Sequence, residues 1–504
     1  MYAKAMLDQF DDRLDPTFAE VDREKLIGRL KRVLPSDGLL STPEAMRVYE
    51  CDGLAAYRGL PGLVALPRTA DEVRGVLSVC AELGVPVVAR GAGTGLSGGA
   101  LPFPGCVLLS LSRLTAILAI DPDERTARVQ PGVRNLAISE AVARYGLFYA
   151  PDPSSQVACS IGGNVAENAG GVHCLKYGLT VHNLAALELA TMDGEMLTLG
   201  GKALDAPGFD LMALLTGSEG LLGVITEVTV RLLPQPVHAR ALLAAFTEVR
   251  HGGEAVAAII GAGIIPAGLE MMDHLALAAA ETYAHAGYPT DAAAILLCEL
   301  DGSEADVAAE LAMVAEICQA AGASEVRLAR DEAERQRFWA GRKGAFPAMG
   351  RLAPDYYCID GTIPRARLPD VLEEIAAMSA AHGLPVANVF HAGDGNLHPL
   401  ILYDANQPGQ MERAEALGGA ILELCVQVGG TITGEHGVGR EKINQMCAQF
   451  SDAEIETFAA IKAAFDPKGL LNPGKAVPTL ARCAEFGAMH VHQGAVPFGH
   501  LDRL

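Results

Sequence analysis

Two stretches in the second half of the chain carry the residue types that proton transfer and metal binding require: His391-Ala-Gly-Asp-Gly-Asn-Leu-His398 and Gly434-Glu-His-Gly437. Asp394-Gly395 is a favoured two-residue hairpin turn, and centring the turn there sets 391 opposite 398. The two histidines then share one sheet face with Cβ atoms about 5 Å apart. From there both imidazoles reach one metal ion at about 2.1 Å. Glu435 offers the third ligand. A pair of stacked histidines in a polar pocket is the plainer alternative, but the hairpin register and the glycine-flanked Glu-His favour a metal. Neighbouring side chains on a regular strand point apart. Glu435 and His436 therefore face one cavity only if the glycines at 434, 437 and 439 make an irregular turn. Phe338-Trp-Ala-Gly-Arg-Lys343 sets the single tryptophan beside two cations. Arg342 has the planar fork that matches a carboxylate; taken alone, the segment reads as a solvated helix face with a half-buried tryptophan.

The first half carries glycine instead. Residues 90–100 read RGAGTGLSGGA, directly after an apolar strand at 85–89. A Rossmann fingerprint must open a helix whose N-terminus holds the pyrophosphate. After Gly95 the chain reads LSGGALPFPGC, and its two prolines and three glycines do not make that helix. An NAD-linked dehydrogenase is thereby disfavoured. What remains is a main-chain cradle, in which glycine permits close approach and successive N–H groups bind anionic oxygens. A second glycine-rich loop, SIGGNVAENAGG at 160–171, has the same chemistry. Between Pro151 and Gly171 the charges are Asp152 and Glu167, while Ser154, Ser155, Ser160, Asn164 and Asn168 supply neutral donors. With GSEG at 217–220, these loops suit a long ligand with a pyrophosphate in its middle; tight turns in a β-rich domain are the alternative.

These segments, with PDPSS at 151–155, KYGLT at 176–180 and the strand GVITEVTVRL, resemble the vanillyl-alcohol oxidase/p-cresol methylhydroxylase superfamily. The likeness extends to about Lys475 and is greatest for its glycolate-oxidising type, with D-lactate and D-2-hydroxyglutarate dehydrogenases also similar. By that resemblance Arg90, Gly91, Ala92, Gly93, Thr94 and Gly95 line the diphosphate of FAD, and Ser97 and Gly98 lie near the flavin. Pro151, Asp152, Ser155, Gly162, Gly163, Asn164 and Asn168 complete the cradle, with Glu219 and Ile225 at the ribose and adenine end. Some relatives tether the flavin through a histidine in the first loop; Thr94 stands in that place, which implies non-covalent FAD. The resemblance also assigns His391, His398 and Glu435 to a divalent metal, zinc, and His436 to the catalytic base. It places the substrate carboxylate on Arg342, with Lys343 beside it. Asn472 in LNPGK returns beside the flavin or, equally, caps a helix end before Pro473. The implied reaction is oxidation of a small 2-hydroxy acid, glycolate to glyoxylate or D-lactate to pyruvate, by hydride transfer to the flavin. Electrons then pass to flavin and iron–sulfur partner subunits or to a quinone. A zinc hydrolase would use the same His-His-Glu set but would not need the glycine-rich half.

The elements that must position these residues are legible in outline. Thr69-Ala-Asp-Glu72 is a capping box opening an amphipathic helix that ends at Gly84. Strands follow at 107–111 and 126–129, a helix at about 135–145, and two strands around a Met192-Asp-Gly194 turn. Beyond Pro234 and Pro236, helices at about 253–262, 273–284, 303–321 and 369–382 alternate with strands such as 294–299 and 386–391. A last helix opens at the capping box Ser451-Asp-Ala-Glu454 and stops before Asp466-Pro467. The expected fold is α+β, an FAD-binding domain of the superfamily's two-part type with an α+β substrate cap. Its expected organisation is a helical segment over 1–55, FAD-binding domain over 56–236, cap over 237–435, a segment returning to the flavin over 436–478 and a tail over 479–504. At 504 residues the chain exceeds one ordinary core.

Lys and Arg total 39 against 61 Asp and Glu, a net charge of −22. Such a surface repels nucleic acid and anionic membranes, so a carboxylate site needs concentrated local cations. Residues 1–13 have no apolar core and do not read as a secretory leader. The most apolar window, 107–120, is polar-interrupted and too short to span a bilayer. The expected location is cytoplasmic, with any membrane contact made through a partner. None of the 11 cysteines forms a CxxC pair, which excludes the usual iron–sulfur spacing and suggests reduced thiols. His173 and His182 read as structural. The tail, with Cys483, His490 and His492, reads as a solvated extension or a partner-docking strap.

Overall fold

Unbroken apolar runs build the first sheet. In the computed structural model, which describes residues 21–203, 208–479 and 482–483, β1 (Leu39–Leu40), β2 (Leu63–Ala65), β3 (Val87–Arg90) and β4 (Val107–Ser110) pair in the order β1-β2-β4-β3. The β2-β4-β3 pairings are parallel, and parallel strands are covered on both faces, which is why these runs do not alternate. The helix Ala70–Leu83 covers one face. Thr69 caps it by accepting from the Glu72 amide, and Gly84 ends it at φ +67, a left-handed conformation glycine adopts without penalty. Its Val73, Val76, Leu77 and Cys80 pack with Leu26 and Leu30 of the helix Arg23–Val33.

Next come β5 (Ile117–Asp121), β6 (Thr126–Val129), β7 (Leu147–Phe148), β8 (Leu184–Ala190), β9 (Met196–Gly200), β10 (Val224–Arg231) and β11 (Leu233–Pro234). Five of them form an antiparallel sheet ordered β5-β6-β10-β8-β9, and β7 pairs with β11. The 160–171 stretch, expected as a loop, contains the helix Ile161–Glu167. Ser160 caps it by accepting from the Gly163 amide, and Asn168 ends it in a left-handed turn. Gly162 is needed for packing rather than for a turn: a Cβ there would lie 2.5 Å from Cβ of Pro131.

The second half is one large antiparallel sheet: β12 (His238–Phe246), β13 (Gly268–Asp273), β14 (Ala294–Gly302), β15 (Ala323–Leu328), β16 (Asp355–Cys358), β17 (Gly361–Thr362), β18 (Val386–His391), β19 (Asn396–Leu397) and β20 (Pro399–Tyr403). Its main path runs β15-β12-β14-β13-β18-β19-β17, and β20 pairs with β18 and β16. Side chains alternate as strand geometry requires. Leu242, Leu296 and Phe390 face helices Val249–Gly261, Glu304–Ala320, Leu368–His382 and Gln410–Gln427, where Val256, Val314, Ile375 and Ile421 are buried. Leu243, Ile295 and Val389 face Leu277 and Phe338 of helices His274–Ala284 and Glu332–Lys343.

After the capped helix Asp452–Phe465 the chain returns to the first sheet. Val87 N donates to Leu470 O at 2.8 Å, and Asn472 N donates to Val87 O at 2.8 Å. Cys447 and Cys483 form a disulfide across 36 residues, which corrects the expectation of reduced thiols throughout. Folding brings them together, and their spacing gives no sign of it; the other cysteines are free. Cys483 is buried and Arg482 Nε donates to Asn444 Oδ1 at 2.7 Å, so this part of the tail is docked rather than solvated. His490 and His492 lie outside the described residues. Among the described residues no helix is long and apolar enough to cross a membrane.

Candidate active site

A cavity of about 480 Å³ lies between the glycine-rich loops and the second-half sheet. Arg90, Gly91, Ala92, Gly93, Thr94 and Gly95 line it from the loop after β3, with Ser155, Gly162, Gly163, Asn164, Glu219 and Ile225 from neighbouring elements. Lys343, Phe346, Pro347, His398, Glu435 and His436 close the other end. The amides of Ala92, Gly93, Thr94 and Gly95 make no main-chain hydrogen bond among the described residues, so they are available to an anionic ligand. A Cβ on Gly91 would lie 2.2 Å from Ser160 Oγ, the hydroxyl that caps the helix Ile161–Glu167.

The remaining cradle candidates lie behind this wall and brace it. Ser97 O accepts from the amides of Arg440 and Glu441, each at 3.0 Å, and Gly98 turns beside Arg440 at φ +75. Pro151 O accepts from Asn135 Nδ2 at 3.0 Å. Asp152 binds His173, Oδ2 to Nδ1 at 2.9 Å. Asn168 Oδ1 accepts from Val181 N at 3.0 Å. Asn472 Nδ2 donates to the carbonyls of Gly99 at 2.9 Å and Glu219 at 2.7 Å. Two of the wall residues also brace. The Arg90 guanidinium donates to Cys51 O at 2.6 Å, and the Glu219 carboxylate accepts from Val438 N and Gly439 N, each at 2.7 Å, tying the glycine-rich half to the turn that carries His436.

The histidine hairpin differs from its expected register. Its loop spans residues 392–395, four residues rather than two, because Asp394 Oδ1 accepts from Asn396 N and Gly395 turns at φ +83. His391 therefore pairs with Asn396 rather than with His398. The shift is two residues, so the faces are preserved, and the two rings meet diagonally with centroids 5.1 Å apart.

Both rings are aimed from behind. His391 Nδ1 contacts Glu270 Oε1 at 2.7 Å and His398 Nδ1 contacts Ile359 O at 3.3 Å. That leaves both Nε2 atoms on Glu435 Oε1, at 3.3 Å and 3.0 Å. Two ligands held tetrahedrally at about 2.1 Å are about 3.4 Å apart, so this donor set fits zinc. Burial pushes the Glu435 carboxyl up, but its hydrogen bonds from His391 and His398 outweigh that and hold it well below the usual range. The irregular turn expected at 434–439 is organised by Asp360, which sequence reading missed. Its carboxylate accepts from the amides of Gly434 at 3.0 Å, Glu435 at 3.2 Å and His436 at 2.8 Å. His436 stacks on His398 at 4.9 Å between centroids. Burial lowers its pKa to about 4 against the opposing pull of Asp360, so the ring is neutral.

Arg342 is 1% exposed and off the cavity wall. Its Nη2 lies 2.6 Å from Glu270 Oε2, whose other oxygen holds His391. Trp339 is buried too, and its Nε1 donates to Glu299; the segment is not a solvated face. Lys343 is exposed on the cavity wall. Arg342→Met strips a buried carboxylate of its cation and is expected to cost about 3–5 kcal/mol, read by urea unfolding. A loss under about 1 kcal/mol would show that Glu270 does not depend on it.

Residues 61–200 match the family model described as FAD binding domain, and residues 235–476 match FAD linked oxidases, C-terminal domain. The glycolate oxidase subunit GlcD of Escherichia coli K12 is 66% identical over 495 residues, covering 98% of this chain and 99% of that protein. The chain belongs to the FAD-linked oxidase family. This FAD-linked oxidase is also 41% identical to GlcD of Bacillus subtilis, over 85% of this chain and 91% of that protein. It is 33% identical to a D-lactate dehydrogenase of Archaeoglobus fulgidus, over 87% and 96%. It shares its fold with p-cresol methylhydroxylase (TM-score 0.76, 16% identity, 91% of this chain and 97% of that one) and with 4-ethylphenol oxidase of Gulosibacter chungangensis (TM-score 0.77, 17% identity, 92% and 98%). Each of these relatives is named for an oxidation, so the hydrolase alternative is not kept. The unpaired amides at 92–95 and the largely neutral wall around them fit the diphosphate of FAD.

Proposed function

We propose that this oxidase converts a small 2-hydroxy acid, glycolate first, to the 2-oxo acid, using FAD held without a covalent bond. One observation carries the reading: the neutral imidazole of His436, the His398 and Glu435 members of the His391–His398–Glu435 cluster, and Lys343 all line the cavity whose other end is the amide cradle. Bound there, FAD supplies the hydride acceptor. A divalent cation, zinc by the donor set, would be held by both Nε2 atoms and Glu435 and would polarise the substrate hydroxyl. His436 accepts the hydroxyl proton at Nε2, the ring nitrogen that lies 3.9 Å from Glu435 Oε1. Glu270 fixes the orientation of His391, and Arg342 holds Glu270. Lys343 takes the carboxylate, the role the resemblance gave to Arg342.

The cations on the cavity wall favour a monocarboxylate. Arg90 is engaged by main-chain carbonyls, which among the described residues lining the cavity leaves Lys343 for one carboxylate and no second Lys or Arg for the other carboxylate of D-2-hydroxyglutarate. In this reading residues 56–236 hold FAD, 237–435 form the substrate cap, and 436–478 return to the flavin. Electrons leave through separate flavin and iron–sulfur subunits that also make any membrane contact. The name of the Escherichia coli relative, a subunit, supports this, as does the lack of CxxC pairs.

An absorbance spectrum with flavin bands, followed by steady-state rates on glycolate, both lactates and D-2-hydroxyglutarate with an artificial acceptor, tests the proposal. A colourless pure protein sinks it. Lys343→Ala is expected to raise KM for glycolate about 10- to 100-fold with kcat little changed, the pattern of lost uniform binding. A fall in kcat at constant KM would remove Lys343 from the carboxylate.

A further inference from the structure

The proposed reaction assigns three of the four substituents on the reacting carbon. The carboxylate is at Lys343, the hydroxyl at His436 and the His391–His398–Glu435 cluster, and the departing hydrogen must face the side of the cavity where the flavin ring would lie. A tetrahedral centre with three directions fixed sends the fourth in the one that is left. On the cap side the wall that remains is apolar: Phe346 and Pro347, in the short helix Ala345–Ala348 that begins two residues after Lys343. The Phe346 ring meets His398 edge-on at 6.1 Å between centroids, and Tyr356 stands behind it at 6.4 Å in the same manner. Its helix is anchored by Ala345 and Ala348, both fully buried against Ala276 and Ala280. The ring is therefore a backed wall, not a free flap.

Resting on that reading, we propose that Phe346 sets the length of the substrate side chain, admitting hydrogen or a methyl group and colliding with anything longer. The class of substrate is then two- and three-carbon 2-hydroxy acids. Hydrophobic walls separate neighbouring homologues by about 10- to 200-fold per methylene.

The test measures kcat/KM for glycolate and for each hand of lactate and 2-hydroxybutyrate, in the flavin-loaded wild type, Phe346→Ala and Phe346→Leu. The wild type is expected to lose at least about 10-fold between the better-used hand of lactate and that of 2-hydroxybutyrate. Phe346→Ala is expected to raise 2-hydroxybutyrate relative to glycolate by at least the same factor, with Phe346→Leu in between. A merely structural role would lower all substrates together and leave the ratio alone. A wild type that uses 2-hydroxybutyrate as well as glycolate, or flavin-loaded variants with ratios within about twofold of wild type, would overturn the assignment while leaving the proposed reaction intact. If Phe346→Ala loses its flavin, the Phe346→Leu ratio decides. A wild type that oxidises no 2-hydroxy acid rejects the reaction and, with it, this inference.

Discussion

His436→Ala is expected to lower kcat by about 10²- to 10⁴-fold, the range for loss of a positioned general base, while the flavin absorbance stays at the wild-type level. The imidazole is poised in its neutral form because burial disfavours its charge. The substitution should spare the cofactor. The turn that carries His436 is held by main-chain donors, its own amide to Asp360 at 2.8 Å and those of Val438 and Gly439 to Glu219 at 2.7 Å, none of which involves the ring. Stopped-flow reduction by glycolate, set beside the flavin content of the purified variant, makes the comparison. If flavin and turnover fall in equal proportion, His436 is holding the fold and is not the base.

Metal removal is the second large effect. Dialysis against a chelator, or Glu435→Gln, is expected to remove one divalent ion per chain and to lower activity by at least about 100-fold, more than the 10- to 100-fold typical when a residue behind a ligand is changed. Glu435 Oε1 is the point on which both Nε2 atoms converge, at 3.3 Å and 3.0 Å. Without a cation that arrangement is balanced by protons: burial pulls His391 down, but Glu270 and Glu435 outweigh it and hold its pKa well above the ordinary value. Elemental analysis and activity are read on the same sample. An enzyme free of metal, full of flavin and turning over at the normal rate would end the assignment.

Much of this site was readable from local pattern because local rules govern it. Strand alternation put His391 and His398 on one face even though the register was wrong. An error of two residues conserves parity, whereas the four-residue loop that caused it depends on Asp394 side-chain geometry that the sequence signal Asp-Gly does not specify. The absence of a helix after Gly95 was legible for the same local reason. Ile161–Glu167 was not, because its helix is set by Ser160, Asn168 and the close fit of Gly162 on Pro131, and glycine counts argue the other way. The burial of Arg342 was not legible because its partner, Glu270, lies 72 residues away; taken alone, a cation on a helix reads as solvated until the buried acid is known. Asp360 and Glu219 hold the turn that carries His436 through backbone amides, an interaction with no residue signature on the turn itself.

The segment that returns after the last long helix has a consequence for biosynthesis. Leu470 and Asn472 hydrogen-bond to Val87 at the foot of the loop proposed to meet the diphosphate, and Lys475 donates to the carbonyls of Gly99 and Leu101. Domains emerging from a ribosome generally fold in order of synthesis, yet here the coenzyme loop near residue 90 lacks its support until residue 475 has left the exit tunnel. On the proposed reading, flavin loading is expected to follow synthesis of that segment, which the Asn472–Gly99 contact places 373 positions further along the chain.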